Sequence, residues 1–374
     1  MRATATVNLA ALQHNVAALQ SRLEGPADTL VAVKANAYGH GLVPVARALT
    51  AGGVGWLGVA TPDEALTLRD AGIGARILIF GPQRGEDLAR LIEREVDLTV
   101  TSEADLAAVQ TEAERLGISG VRVHLKVDTG MGRLGEPPGA AVRLMHMADG
   151  LTRLAPTGVW THLACADEPD SPATDEQLAR FADVLTGLEA EGLTPPLRHA
   201  ANSAAVLTRP DAHFDLVRPG IAAYGYAPSD ALRDVARDLT PAMTVEAPVV
   251  FVKDVPAGTP VSYGHRWRAP NATRVATVRL GYGDGYLRAA SNVADMHVAG
   301  RLARVVGTVC MDQTMLDVGD ADVQVGDRVI AFGPHPGVGA DDVARAVGTI
   351  AYEILTGVDA RLERRYEGLS DGSS

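Results

Sequence analysis

Val31-Ala32-Val33-Lys34-Ala35-Asn36-Ala37-Tyr38-Gly39-His40-Gly41 reads as a short buried strand that ends on a lysine and runs into a glycine-punctuated turn. A lysine closing an apolar run is unusual, because burying an unpaired ammonium is costly. It is more unusual in this chain, where only Lys34, Lys126 and Lys253 among 34 basic residues are lysine and the rest are arginine. A guanidinium stays protonated, so a retained lysine points to amine chemistry. Two plainer readings stand beside that one. Lys34 ends a strand and reaches along it to solvent, or the arginine excess reflects genome composition.

Working outward, the same strand-then-helix unit recurs every 25–30 residues or so, the size of a βαβ repeat. Residues 2–7 alternate like an edge strand, and Asn8 is placed to cap a helix carrying Leu9, Leu12, Val16 and Leu19 at helical spacing. The apolar runs 29–34, 55–60, 76–80, 97–100, 121–127, 157–162, 197–200 and 215–218 are the strands. Amphipathic segments 62–71, 102–116, 136–148 and 174–190 lie between them, with Thr61-Pro62-Asp63-Glu64 and Ser102-Glu103-Ala104-Asp105 as helix starts. Eight strands alternating with helices predict an α/β fold of the (β/α)₈ TIM-barrel type. An open doubly wound sheet is the alternative.

Near Asp230 the rhythm changes. Short strands at 242–255, 260–263, 274–280, 303–309, 313–318 and 328–332, separated by turns such as Pro256-Ala257-Gly258, predict a mostly β C-terminal domain. A last helix is expected over 341–355, and a disordered tail from Glu367 to the end. The domains are therefore 8–232, the barrel, and 233–374, the β domain, with strand 1–7 joining the second.

A net charge of −12 argues against nucleic acid and anionic membrane surfaces as partners. Two cysteines, Cys165 and Cys310, make no disulfide framework. No run of 18 apolar residues is available to span a bilayer, and no signal peptide is recognisable, so a cytoplasmic location is expected.

Barrels of this kind place chemistry at the C-terminal ends of their strands. Lys34 and Tyr38 follow the first strand, and Lys126, Asp128 and Arg133 the fifth. His162 ends the sixth, His199 the seventh and Arg218 the eighth. Asn202-Ser203 and Arg218-Pro219-Gly220 open helices after strands seven and eight, where backbone N–H groups are suited to a phosphate. Singly, each has an ordinary explanation: a helix cap, a core histidine, a loop charge. Jointly they point to a phosphorylated carbonyl cofactor held as a Schiff base, that is, pyridoxal 5'-phosphate. Phosphosugar barrels share this geometry and remain an alternative on pattern alone.

The opening stretch resembles the pyridoxal-phosphate attachment signature of the alanine racemases. The likeness continues in order through Lys126–Gly135, Thr161-His162, His199-Ala200-Ala201-Asn202-Ser203-Ala204, Arg218-Pro219-Gly220-Ile221, Val261-Ser262-Tyr263-Gly264, Cys310-Met311-Asp312-Gln313 and Ala351-Tyr352-Glu353. It implies interconversion of L- and D-alanine by two bases, supplying D-alanine for peptidoglycan. By that resemblance Lys34 would hold the cofactor and serve as one base. Tyr263 would be the other, acting in trans from the partner subunit of a homodimer. Tyr38, Asn202, Ser203, Gly220, Ile221 and Tyr352 would bind the phosphate. Arg218 would face the pyridine nitrogen with His199 behind it, and His162 would lie near the ring. Arg133 would meet the cofactor's phenolic oxygen and, with the Met311 backbone N–H, the substrate carboxylate. Lys126 matches a position that is carbamylated in some members. No metal is implied.

Two departures bear on substrate access. Many relatives have arginine where this chain has Thr308, and His265-Arg266-Trp267 follows Tyr263-Gly264 where relatives vary. A racemase of broader specificity, for serine or other amino acids, is the nearest rival. A non-catalytic pyridoxal-phosphate carrier would resemble the barrel alone, and a decarboxylase of the same plan would present glutamate in place of Arg218.

Overall fold

The computed structural model describes residues 2–368. The chain forms two compact units. One comprises Gln13–Ala37 and Leu42–Leu239; the other comprises the chain up to Leu12, Tyr38–Gly41 and the chain from Thr240 onward.

The first unit is a parallel barrel. Its strands are β2 (Asp28–Ala32), β3 (Trp56–Val59), β4 (Arg76–Ile79), β5 (Asp97–Val100), β6 (Val121–Lys126), β7 (Leu154–Trp160), β8 (Leu197–His199) and β9 (Leu216–Val217), following β1 (Thr4–Asn8) of the other unit. They pair in sequence order, and β2 also pairs with β9. The ring closes between β8 and β9, where Asp215 N–H donates to Arg198 O at 3.0 Å and Arg218 N–H to Ala201 O at 2.8 Å. That closure decides against an open sheet.

Leu30, Trp56, Leu78 and Leu216, from β2, β3, β4 and β9, form one buried cluster with Phe80 and Leu197 against it. Burial of each such side chain contributes about 1.5–3 kcal/mol. Gly58 leaves room for it, since a Cβ there would lie 2.2 Å from the Phe80 ring. The intervening helices start as their residues dictate. Thr61 accepts from the Glu64 N–H while Glu64 reaches back to the Thr61 N–H, a capping box opening Pro62–Asp70. Ser102 caps Glu103–Leu116.

The second unit is an antiparallel barrel. A long strand β10 (Met243–Val255) pairs with β13 (Thr273–Val278) through its second half and with β17 (Arg328–Phe332) through its first. Strands β16 (Thr314–Asp317), β15 (Arg301–Val305) and β14 (Asp295–Val298) complete the circuit from β13 to β17. Strand β1 pairs antiparallel with β10, and β18 (Glu363–Glu367) adds parallel to β1. A separate short pair joins β11 (Pro260–Val261) to β12 (Trp267–Arg268).

Several sequence expectations change here. The single helix at 341–355 is two, Ala340–Val347 and Ala351–Thr356, because Gly348 takes the left-handed cap conformation at φ +78°. Strand 260–263 stops at Val261, and Tyr263 opens a 3₁₀ turn instead. Strands β12, β14 and β18 were not anticipated. Glu367, placed in the disordered tail, ends β18, and residues 369–374 of that tail lie outside the described residues. Among the described residues no helix is long and apolar enough to cross a membrane.

Candidate active site

Lys34 follows directly on β2, where Val33 N–H still bonds to Gly58 O at 2.8 Å. The turn after it is a left-handed helical turn built without glycine: Ala35, Asn36 and Ala37 have φ of 52–54° and ψ of 46–54°. Each such residue costs about 1–2 kcal/mol relative to right-handed backbone. Three hydrogen bonds oppose that cost. Ala37 N–H donates to Val33 O at 2.8 Å, Asn36 Oδ1 accepts from Leu42 N–H at 2.8 Å, and Glu64 Oε1 accepts from Ala35 N–H at 2.6 Å. Glu64 thus braces both its own helix start and the turn that carries the lysine.

Around the C-terminal ends of the barrel strands positive charge collects. Burial lowers the Lys34 ammonium, Arg133 lowers it further, and Glu64 opposes them. Lys126, buried at the end of β6 with its amine 4.5 Å from the Trp160 ring, is lowered to about 8 by burial and then by Arg133 and Arg218. His162 is held well below the ordinary imidazole range by burial and by Arg218, Arg133, Lys126 and Lys34. Its ring is therefore neutral, with Arg218 Nη2 3.5 Å from its Nδ1. Asp128 spends a carboxylate oxygen on the N–H groups of Gly130 and Gly132, both at 3.0 Å, and shapes the loop that carries Arg133.

The loops after β8 and β9 are stitched together. Asn202 caps helix Ser203–Thr208 by accepting from Ala205 N–H, and its amide donates to Leu163 O. The Ser203 hydroxyl accepts from Gly220 N–H at 2.8 Å and from Ala222 N–H at 3.3 Å. With its acceptor sites so used, Ser203 has its own proton left to donate. The N–H groups opening the Ser203 helix and the Ile221–Tyr224 turn have no partner within those elements. Arg218, 4 % exposed, donates to Thr161 O at 2.6 Å, Ala200 O at 2.9 Å and His199 Nδ1 at 3.0 Å. Burial lowers it to about 9, so it keeps its charge at neutral pH.

The other unit holds Tyr38, Tyr263, Met311 and Tyr352. The Tyr38 and Tyr352 rings lie 6.1 Å apart, and burial pushes the Tyr38 phenol up to about 12. Gly39 and Gly41 follow at φ +80° and +100°. A Cβ at the first would lie 2.1 Å from Leu355 O and at the second 2.0 Å from the Tyr366 hydroxyl, so neither position takes a side chain. Tyr263 is 72 % exposed. Its loop begins at Ser262, whose φ is +65°. Met311 lies in the turn after Cys310, where its carbonyl accepts from Gly283 N–H at 2.8 Å.

Two family models cover most of the sequence: "Alanine racemase, N-terminal domain" matches residues 7–228 and "Alanine racemase, C-terminal domain" residues 242–366. A protein named alanine racemase from Thermobifida fusca is 49% identical, over 98% of this chain and 98% of its own length. The chain belongs to the alanine racemase family. Among solved structures, the alanine racemase of D-cycloserine-producing Streptomyces lavendulae superposes with a TM-score of 0.93 at 42% identity, covering 99% of this chain and 98% of that one. The Streptomyces coelicolor alanine racemase gives 0.91 at 44%, covering 98% of each. The family resemblance seen in the sequence is thereby upheld across both domains.

Within this alanine racemase family chain, some residues tied to the site carry no signal in the motifs. Glu64 reads only as a helix start. His124, in the run Val121-Arg122-Val123-His124-Leu125, reads as an ordinary core position, yet its ring contacts His199. Asp97 opens β5 as a fully buried acid, and that is the one signal that could have drawn notice.

Proposed function

We propose that this chain interconverts L-alanine and D-alanine with pyridoxal 5'-phosphate, working as a cytoplasmic homodimer. The observation that carries the reading is the placing of Lys34 at the C-terminal end of β2 on the same barrel rim as Arg218, whose Nη2 lies 3.5 Å from His162 Nδ1, and the Ser203–Gly220 junction. Those residues fit the cofactor. Lys34 offers an amine whose pKa burial lowers, suited to holding a carbonyl carbon covalently. Ser203 offers a hydroxyl proton, and the N–H groups at the start of its helix and at Ile221 suit a phosphate, while the Gly220 N–H holds the Ser203 hydroxyl in place. Asn202 holds that loop in place, and the family resemblance assigns Tyr38 and Tyr352 to the phosphate, Tyr38 being kept neutral by its raised pKa. When bound, pyridoxal phosphate makes the α-proton of an attached amino acid acidic.

Racemisation then needs a proton carrier on each face of the α-carbon. Lys34 serves one face. Tyr263 of a second copy is assigned the other, which agrees with the exposure of large apolar side chains in the β unit, Tyr263, Phe251 and Met311 among them. Arg133 is assigned to the substrate carboxylate together with the Met311 N–H. Arg218 is offered to the ring nitrogen as a cation that donates and does not accept a proton. His162, kept neutral, adds no charge beside the reacting atoms. Two free cysteines, Cys165 and Cys310, agree with a reducing compartment.

The test is to give the holoprotein L-alanine in D₂O and follow optical inversion together with α-deuteration, with parallel runs on serine, lysine and arginine. Inversion of alanine with deuterium uptake is expected. Faster inversion of another amino acid would move the assignment to a racemase of broader specificity. No inversion of any would leave a cofactor carrier.

A further inference from the structure

We propose that Asp97, acting through His124 and His199, is a positioning residue for Arg218, setting the direction of every hydrogen bond in a buried chain that crosses the barrel. The inference deepens the racemase reading and rests on it for the role of Arg218. The chain starts where β5 begins. Asp97, fully buried, accepts from Arg122 Nε at 2.6 Å through Oδ1, and through Oδ2 it meets Arg76 and His124 Nε2, the latter at 3.2 Å. His124 Nδ1 lies 3.0 Å from His199 Nε2, and His199 Nδ1 lies 3.0 Å from Arg218 Nη1. Both imidazoles are fully buried, whereas Arg76 and Arg122 are about one-third exposed. The outer end therefore touches solvent and the inner end touches the site.

The two ring nitrogens of a neutral histidine differ, one donor and one acceptor, so a chain of rings has a direction. Burial would raise the Asp97 carboxyl, but hydrogen bonds from His124 and Arg122 and the Arg76 charge hold it low, so it is ionised and can only accept. Burial likewise keeps His124 and His199 neutral, with the Arg218 charge adding to the effect on His199. An accepting Asp97 requires the His124 proton on Nε2. Nδ1 of His124 is then bare and accepts from a proton on His199 Nε2. That in turn leaves His199 Nδ1 bare, facing the Arg218 donor. The opposite tautomer of His199 would set two N–H groups head to head in a dry interior, at the cost of an unsatisfied donor.

The neighbouring side chains hold the rings in this line. A Cβ at Gly158 would lie 2.4 Å from His124 Nδ1, so β7 leaves out a side chain where the ring sits. Trp56 meets His124 edge-on at 5.9 Å, and Trp160 stacks on His199 at 5.6 Å.

The experiment uses holoenzyme labelled with ¹⁵N-histidine and solid-state NMR, which distinguishes protonated from bare ring nitrogens without turnover. In the wild type both His124 and His199 are expected to carry their proton on Nε2 alone. Asp97→Asn, whose amide can donate as well as accept, is expected to give mixed tautomers at both rings. His124→Leu removes the acceptor for the His199 Nε2 proton and leaves only the Arg218 donor to orient the ring, so part of the His199 population should shift to the Nδ1–H form. In parallel, kcat for alanine should fall about tenfold with KM changed less than about twofold. His124→Gln, whose amide can donate to Asp97 and accept from His199, should recover most of the lost kcat and the His199 signature. A wild-type ring protonated on Nδ1 overturns the proposal. So does a loss of kcat in Asp97→Asn and His124→Leu with the His199 tautomer unmoved, since that is what a merely structural role would give. If the tautomers follow the variants while the wild type racemises nothing, the hydrogen-bond chain stands and the racemase reading fails.

Discussion

The hydroxyl of Thr308 donates to the backbone carbonyl of Tyr263 at 2.9 Å. In return the Thr308 carbonyl accepts the Ser262 hydroxyl at 2.6 Å. This clasp holds a loop whose first residue is strained, since Ser262 sits at φ +65°. Gly307 permits the close approach: a Cβ there would lie 2.7 Å from Val261 O. Thr308 thus fixes the Tyr263 backbone. Thr308→Val removes the donor at nearly constant volume. We expect it to lower kcat from L-alanine about three- to tenfold, with cofactor attachment unchanged by absorbance. Tyr263→Phe should cripple the L direction and also leave attachment intact. Wild-type rates in Thr308→Val would make the clasp irrelevant to the tyrosine, and loss of attachment in Tyr263→Phe would make Tyr263 structural.

Ser203→Ala takes away the acceptor shared by Gly220 and Ala222. Leaving buried N–H groups without a partner costs about 1–3 kcal/mol, so the apoprotein should melt earlier. The variant also loses the hydroxyl proton assigned to the phosphate. Cofactor titration should show affinity down about tenfold or more. Unchanged affinity with a lowered melting point would confine Ser203 to holding the two loops together.

Much of this arrangement was legible in the sequence, for reasons that also explain what was not. The barrel strands are apolar runs bounded by turn residues, so all eight could be read. Strand β18, Glu363-Arg364-Arg365-Tyr366-Glu367, is mostly charged and joins the sheet through its backbone pairing with β1. Such an edge strand leaves almost no hydropathy signal. The left-handed turn after Lys34 is invisible for another reason. Its residues are Ala35, Asn36 and Ala37, and the bonds that hold it come in part from Glu64, in a different helix. His124 looked like core because it is core. Its partners Asp97 and His199 are 27 and 75 residues distant and meet it only once the barrel closes.

Arg218→Glu replaces a group that can only donate by one that can keep a proton on a ring nitrogen. With the cofactor bound, a glutamate there would keep the ring nitrogen protonated and so would strengthen the ring's pull on electrons from the substrate. The expected outcome is slower racemisation and more abortive transamination, followed as pyruvate formed per inversion. Unchanged partitioning between the two products would remove Arg218 from control of the ring nitrogen.

Lys126 offers a pH test. Its ammonium is lowered to about 8, with burial the largest cause and the charges of Arg133 and Arg218 next. The neutral fraction therefore rises as pH passes from 7 to 9, well below the range of an ordinary lysine. Only the neutral amine adds to CO₂: nitrogen bonds to carbon, a proton is released, and an anionic carbamate results. We expect bicarbonate to protect activity increasingly over this pH range and Lys126→Arg to abolish the dependence. The same shift has a stability consequence. The folded state binds the proton less tightly than the unfolded one, so stability should increase as pH rises from below 8 toward the ordinary lysine value of about 10.4. A melting temperature flat over that interval in wild type, and matching Lys126→Met, would contradict the assigned shift.

The left-handed turn predicts an inversion of the usual glycine rule. Replacing alanine by glycine in a right-handed helix destabilises by about 1 kcal/mol. Ala35 has φ 52° and ψ 52° and an exposed side chain, so its methyl group contributes little burial while imposing steric cost. Glycine accepts this region freely. Ala35→Gly should therefore raise the melting temperature of the apoprotein, by an amount equivalent to about 1 kcal/mol after the added chain entropy is subtracted. Ala37→Gly has the same backbone benefit but gives up a fully buried methyl group, so its gain should be smaller or absent. The strain also positions Lys34, which sits at the head of the turn. A relaxed turn should hold the amine less tightly, so Ala35→Gly is expected to pair greater stability with a modestly lower kcat. Destabilisation by Ala35→Gly would mean that the turn does not persist in solution as a left-handed one.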